Sequence, residues 1–276
     1  MLRDVIEAIE AEDKAEAKAG STSTLTLAST SAVVRLDTIF RQAANSHIIV
    51  NAHRINRGQM PVLDNTHSLD CFLFQADEQP LAADLIVDLV RERITKRFGL
   101  QPAQIQVLSP MHAGEAGVTK LNQRLQAALN PSTGIELVRG DRTFRPGDRV
   151  MQTVNDYEKD VFNGDLGQVL LVDPAAKTLS VAFGSNKVVP YENGDLEHLT
   201  HAWAVTIHKS QGSEFPAVVI PLLPGQHIML QRNLLYTAIT RARQLVVLVG
   251  DRQAIATAVN NNAVARRYTG LVERLR

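Results

Sequence analysis

LLYTAITRARQLVVLVGD, residues 234–251, joins an apolar stretch of helical spacing to a run that reads as a buried strand. At about 100° per residue, Leu234, Leu235, Ala238, Ile239 and Ala242 share one broad apolar arc. The spacing therefore predicts a helix over QRNLLYTAITRAR, residues 231–243. QLVVLVG has the unbroken apolar character of a strand covered on both faces. A helix that feeds directly into such a strand belongs to α/β architecture. Arg243 lies well outside the apolar arc, whereas Arg241 falls nearly in line with Leu234 and Ala238, at the edge of the buried face. An arginine in that position either pairs with a carboxylate of its own domain or points across a cleft at an anion supplied from elsewhere.

Working outward, strand-like and helix-like runs alternate from Val33 to Pro131: VVRL, a helical stretch around IFRQAANSHIIVNAHRINRG, the strand DCFLF, an amphipathic run from Leu81 to Phe98, the strand IQVLSP and a helix through VTKLNQRLQAALN. That alternation predicts a parallel sheet with helices on both faces. Residues 140–199 have a different texture, short β-rich runs separated by PG, NGD, DPAAK and GSN turns, which predicts a small antiparallel barrel inserted into the α/β domain. The α/β pattern resumes over 200–276, with HAWAVT and AVVIPLL as strands, a short helix at HKSQG and a helix from Arg252 onward. The expected organisation is thus 1–32 a helix and Ser/Thr-rich linker, 33–139 and 200–276 one α/β domain in two parts, and 140–199 the insertion.

The chain has 276 residues, 45% of them hydrophobic, enough for one large or two modest domains with a real core. Lys and Arg number 29, as do Asp and Glu, so any nucleic-acid contact has to come from a local patch. The single cysteine, Cys71, excludes an internal disulfide and reads as a buried strand thiol within CFLF. No run approaches a membrane span and the acidic amphipathic start is unlike a secretory signal, so a cytoplasmic protein without a membrane partner is expected. His201 and His208 lack the i,i+4 spacing of a helical metal pair, and no metal site is expected. Trp203 reads as core, and FNGDLG as a hairpin turn.

AVTIHKSQGSEF, residues 204–215, gathers Thr206, His208, Lys209, Ser210, Gln211 and Glu214 immediately behind a strand. Such donor-rich corners are where open α/β sheets place ligands and where free N–H groups favour anions; the alternative is a solvated turn. The chain contains no G-x-x-x-x-G-K-[ST], the loop that cradles triphosphates in many nucleotide-binding proteins. Asp77 and Glu78, in FLFQADEQP, imitate an acidic magnesium-binding box, but Pro80 follows at once and ordinary strand-end chemistry is the better reading.

The blocks VVRLDTIFRQ, VLSPMHAGEAGVTKLNQRL, AVTIHKSQGSEF and LLYTAITRAR, in that order, resemble the C-terminal motor half of superfamily 1 DNA helicases, most closely the RecD-like branch. NDYEKDVFNGDLGQV is similar to the barrel of the Src-homology-three kind inserted in those enzymes. The resemblance covers residues 33–251 and implies a RecA-like α/β fold, movement along single-stranded DNA with 5′-to-3′ polarity, and ATP with Mg2+ as cofactors of the intact enzyme. It implies roles for Arg41, with Gln42 beside it, and for Arg241 at the triphosphate, and for Gly212 and Glu214 beside the nucleotide. It places Ser109, Pro110, Asn122, Thr206, His208, Lys209 and Ser210 along the DNA track, where Lys120 and Arg124 could add positive potential. The family's phosphate loop and magnesium box have no counterpart in this sequence. An N-terminal motor domain is thus an expected partner, together with subunits of a recombination complex, and no bound nucleotide or ATP turnover is expected of this chain alone. A non-enzymatic binding module and a motor inside a conjugative relaxase stay open as rivals.

Overall fold

The computed structural model describes residues 46–192, 194–225 and 230–262. The expected N-terminal helix and linker, the VVRL strand and the IFRQ block lie outside the described residues. In chain order the α/β part contains α1 (His47–Asn56), β1 (Cys71–Gln75), α2 (Gln79–Asp88), a π-helical turn (Leu89–Arg93) and α3 (Ile94–Phe98), followed by β2 (Ile105–Ser109) and α4 (Val118–Leu129). A two-stranded ribbon, β3 (Leu137–Arg139) and β4 (Arg142–Phe144), leads into β5 (Arg149–Gln152), β6 (Leu166–Asp173), β7 (Thr178–Phe183), β8 (Lys187–Tyr191) and β9 (Leu199–His201). The chain then returns through β10 (Ala204–Thr206), a 3-10 turn (Ile207–Ser210), β11 (Phe215–Leu222), α5 (Arg232–Ile239), β12 (Ala242–Gly250) and α6 (Arg252–Asn260).

β1, β12, β11, β2 and β10 form, in that order, a parallel sheet. Its central strands are buried on both faces, which is why β11 and β12 read as nearly continuous apolar runs. One face packs Ile48, Ile55, Leu234, Ala238 and Ile255 from α1, α5 and α6. The other packs Ile86, Ile94, Leu121 and Leu125 from α2, α3 and α4. This is the parallel α/β sheet, covered by helices on both faces, that the alternation predicts. The antiparallel sheet, in the order β8-β7-β6-β5-β9, has its own core of Phe144, Val150, Val181, Tyr191 and Leu199 and is the inserted small barrel.

Two local expectations change. HAWAVT is not one strand: His201 ends β9 in the barrel sheet, opposite Val150, and Ala204 starts β10 in the parallel sheet, opposite Val107. Ala202 and Trp203 cross between the sheets: the Ala202 N–H donates to the Arg149 carbonyl at 2.8 Å, and the fully buried Gln106 amide donates to the carbonyl oxygens of both residues, at 3.2 Å each. That buried amide satisfies the two carbonyls that no strand partner meets. The helix over 231–243 stops at Ile239, and Thr240 and Arg241 form a turn into β12, which already includes Ala242 and Arg243. Parallel pairing of Phe215 with Ala242 extends β12 backwards into the predicted helix, a tertiary contact that overrides helical spacing.

Cys71 lies buried in β1, as its apolar setting predicts, and burial pushes its thiol up to about 11. Asp77 falls just past β1, and Glu78 precedes α2 without a side-chain capping bond, Pro80 lying in the first turn. Trp203 is buried as expected, and FNGDLG runs into β6 rather than into a helix.

Candidate nucleic-acid interface and nucleotide-facing turn

A groove of about 650 Å3 separates α4 and β10 from the barrel. Thr119 and Gln123 of α4, Arg142 of β4, Thr200 of β9, Thr206 and Lys209 line it, so both modules contribute walls. The Lys209 ammonium donates to the neutral Asn163 Oδ1 at 2.5 Å, which leaves its charge uncancelled by that contact. Arg142 donates to the Leu199 carbonyl, with Asp141 at 3.8 Å. Arg124, by contrast, is tied to Asp84 at 2.8 Å, while Lys120 is exposed on α4.

The corner residues predicted at this track divide into two kinds. His208 and Lys209 are exposed. Thr206, buried, caps the 3-10 turn by accepting from the Lys209 N–H at 3.3 Å. Ser210 is 1% exposed, and its hydroxyl donates to the Ile207 carbonyl at 2.7 Å. Ser109 is fully buried, with its hydroxyl spanning the backbone of Met111 and Ala116, and Pro110 beside it is buried too. Asn122 clamps one residue from both sides: its Nδ2 donates to the Ala204 carbonyl at 2.8 Å and its Oδ1 accepts the Ala204 N–H at 2.9 Å. Asn122 thus ties α4 to β10 while lining the groove, Ser109 braces the loop that precedes α4, and Ser210 closes its own 3-10 turn. Arg142 and Thr200 were not legible as groove residues, since only the folding of the insertion against α4 brings them there.

Arg241 stands at the other end of the sheet, at the start of β12. It is half-buried, and its Nη1 donates to the Ser213 carbonyl at 3.1 Å and its Nε to the Thr237 carbonyl at 3.3 Å. Among the described residues no carboxylate pairs with it. The carboxylate nearby, Glu214, bonds Arg243 at 2.9 Å instead. Gly212, exposed at φ +87°, turns the chain toward Ser213, whose carbonyl then meets Arg241. Neutral carbonyls steer a guanidinium without cancelling its charge, so the turn presents a held cation. Arg41 and Gln42 lie outside the described residues.

The two modules meet in a buried polar junction that the sequence did not announce. Arg149 of β5 donates to the Ile105 carbonyl at 2.9 Å and to Gln106 Oε1 at 2.8 Å. Enclosure without a carboxylate pushes its pKa down to about 10, still charged at neutral pH. Nearby, the fully buried Asp148 accepts from Gln126 at 2.6 Å, Asn130 at 2.8 Å and the Arg145 N–H at 2.8 Å, with His201 at 3.5 Å.

Residues 121–183 match the model of the ATP-dependent RecD-like DNA helicase SH3 domain, and residues 201–249 match that of the UvrD-like helicase C-terminal domain. The ATP-dependent RecD2 DNA helicase of Deinococcus radiodurans is 38% identical over 253 residues, covering 91% of this chain and 33% of that protein. The chain belongs to the RecD-like superfamily 1 helicases. What it carries of that RecD-like family is the C-terminal half, with its SH3-like insertion. The RecBCD enzyme subunit RecD of Mycobacterium tuberculosis is 34% identical over 212 residues, covering 73% of this chain and 36% of the subunit. The chain therefore spans about a third of the length of these RecD-like relatives. Among solved structures, Pif1 helicase from Bacteroides in complex with ADP-AlF3 and single-stranded DNA aligns with a TM-score of 0.48 at 22% identity, over 80% of this chain and 53% of that one. No helix among the described residues is long and apolar enough to cross a membrane.

Proposed function

We propose that this chain is the second motor domain of an ATP-dependent DNA helicase, holding single-stranded DNA in the groove between α4 and the barrel. Its Arg241 completes a triphosphate pocket whose phosphate loop belongs to another domain. The observation that carries the reading is the Arg241 turn, a half-buried guanidinium oriented by neutral carbonyls while the neighbouring carboxylate is given to Arg243. A half-buried cation of this kind fits a phosphate oxygen, because the fork is pre-oriented and an anion would supply the missing charge. ATP with Mg2+ would provide the phosphoryl group and its free energy. This chain's share is to neutralise charge at the phosphate edge and to grip the strand. Contacts from Thr119, Gln123 and Lys209 would go to phosphate and sugar, so binding without sequence preference follows. Movement in the 5′-to-3′ direction, docking of Arg41 and Gln42 at the same phosphates, and assembly with recombination subunits are inferences from family membership alone.

A finger arginine in related phosphoryl-transfer enzymes contributes about 10³ to 10⁵ in rate, or about 4–7 kcal/mol. Joined to a RecD-like N-terminal region bearing the phosphate loop, Arg241→Ala should lower DNA-stimulated ATP turnover by about 10³ or more, with ATP affinity changed only a few-fold. This chain alone should show no turnover. Steady-state hydrolysis with single-stranded DNA measures both, and robust activity of the isolated chain, or an indifferent Arg241→Ala, would refute the reading.

A further inference from the structure

The loop between β5 and β6, residues 153–165, carries an exposed aromatic pair that the fold does not use for packing. Tyr157 is 77% exposed and Phe162 40%, their rings 5.9 Å apart and nearly perpendicular. We propose that Tyr157, backed edge-on by Phe162, is a stacking platform for a base of the single strand held in the groove. The proposal rests on the reading of that groove as a DNA track.

The loop is built to present the ring rather than to let it wander. Asp156 and Val161 form a β-bridge, and Asp156 Oδ1 accepts the backbone N–H groups of Glu158 at 3.1 Å and Lys159 at 3.0 Å. Asn163 N–H donates to Asn155 Oδ1 at 2.9 Å, and Asp160 adopts φ 51° at the tip. A rigid loop that leaves a tyrosine in water forgoes burial of the ring, yet gains a large contact surface that loses little conformational freedom on binding. The loop also reaches the groove, since Thr153 lines it and Asn163 holds Lys209.

Charge decides which part of a strand meets this loop. Of its four acids, Asp156 and Asp160 are met by Lys159 and Lys187, Asp165 accepts the Phe162 N–H, and Glu158 is exposed beside Tyr157. The loop thus offers little to a phosphate and an open π face to a neutral ring. Phosphates belong on the α4 side with Thr119 and Lys209, and bases on the barrel side with Tyr157.

The test uses the full chain and fluorescence polarisation with two labelled strands, oligothymidylate and an abasic strand of equal length. Stacking makes Tyr157→Ala lose about 10-fold or more on oligothymidylate and nothing on the abasic strand, while Tyr157→Phe retains binding. Lys209→Ala, acting on phosphate, weakens both strands alike. Equal loss on both strands with Tyr157→Ala, or no loss on either, overturns the platform while leaving the track intact. Failure of the unmodified chain to bind either strand refutes the track itself and the platform with it.

Discussion

Asn122 shows how a residue in a recognisable motif holds the walls of the groove it lines. Both ends of its amide are spent on the backbone of Ala204, the first residue of β10. Asn122→Ala would leave a buried N–H and a buried carbonyl unsatisfied and should cost about 2–4 kcal/mol, read as a lowered urea midpoint with unchanged slope. A change below about 0.5 kcal/mol would mean that water enters and replaces both bonds. Arg241 teaches the converse. Helical spacing put it at the edge of an apolar helical face, whereas the helix ends at Ile239 and Arg241 is half-buried in the turn that follows. Arg243, two positions on and read as solvent-facing, is the one that takes the carboxylate.

At the scale of elements, the loop before α4 leaves no room for a side chain at Gly117. A Cβ on Gly117 would stand 2.3 Å from the Ala113 carbonyl oxygen and 2.6 Å from that of His112, both backbone atoms that cannot step aside as a side-chain tip could. Gly117→Ala should therefore shift the start of α4, cost about 1–3 kcal/mol and weaken single-strand binding together with stability. Denaturation and polarisation titrations on one preparation check this, and unaltered affinity would detach the loop from the track. The helical run over 81–98 was legible from its amphipathic spacing. The π turn at Leu89–Arg93 was not, because one extra residue per turn leaves the hydrophobic pattern almost unchanged over so short a span.

For the whole molecule, the decisive contact is between the modules. Arg149 carries a charge from the barrel into the edge of the parallel sheet, where Gln106 passes the connection on to Ala202 and Trp203. Arg149→Met would strand the Ile105 carbonyl and Gln106 Oε1, and a loss of about 2–4 kcal/mol is expected. The loss should come with uncoupling, seen as separate unfolding transitions where the unmodified chain shows one. Coincident transitions by fluorescence and circular dichroism in the variant would show that the apolar contacts alone join the modules. Because groove walls come from both modules, the same variant should weaken DNA binding without altering any lining residue.

Strand and helix alternation, the position of the β-rich insertion, the buried thiol and the family were all determined by local composition and ordered motifs, which report on short-range spacing. The parallel sheet between two helical layers follows from those signals, because a continuous apolar strand has few other places to go, while its RecA-like and SH3-like character came from the resemblance of the ordered motifs. What only the tertiary structure decided are the features that depend on partners far apart in sequence. They include the splitting of HAWAVT between two sheets by Gln106, the release of Arg241 from the helix through the pairing of Phe215 with Ala242, and the groove walled by α4 and the barrel. The physical reason is common to all of them: a hydrogen bond or a wall contributed from many residues away leaves no periodicity in the local sequence.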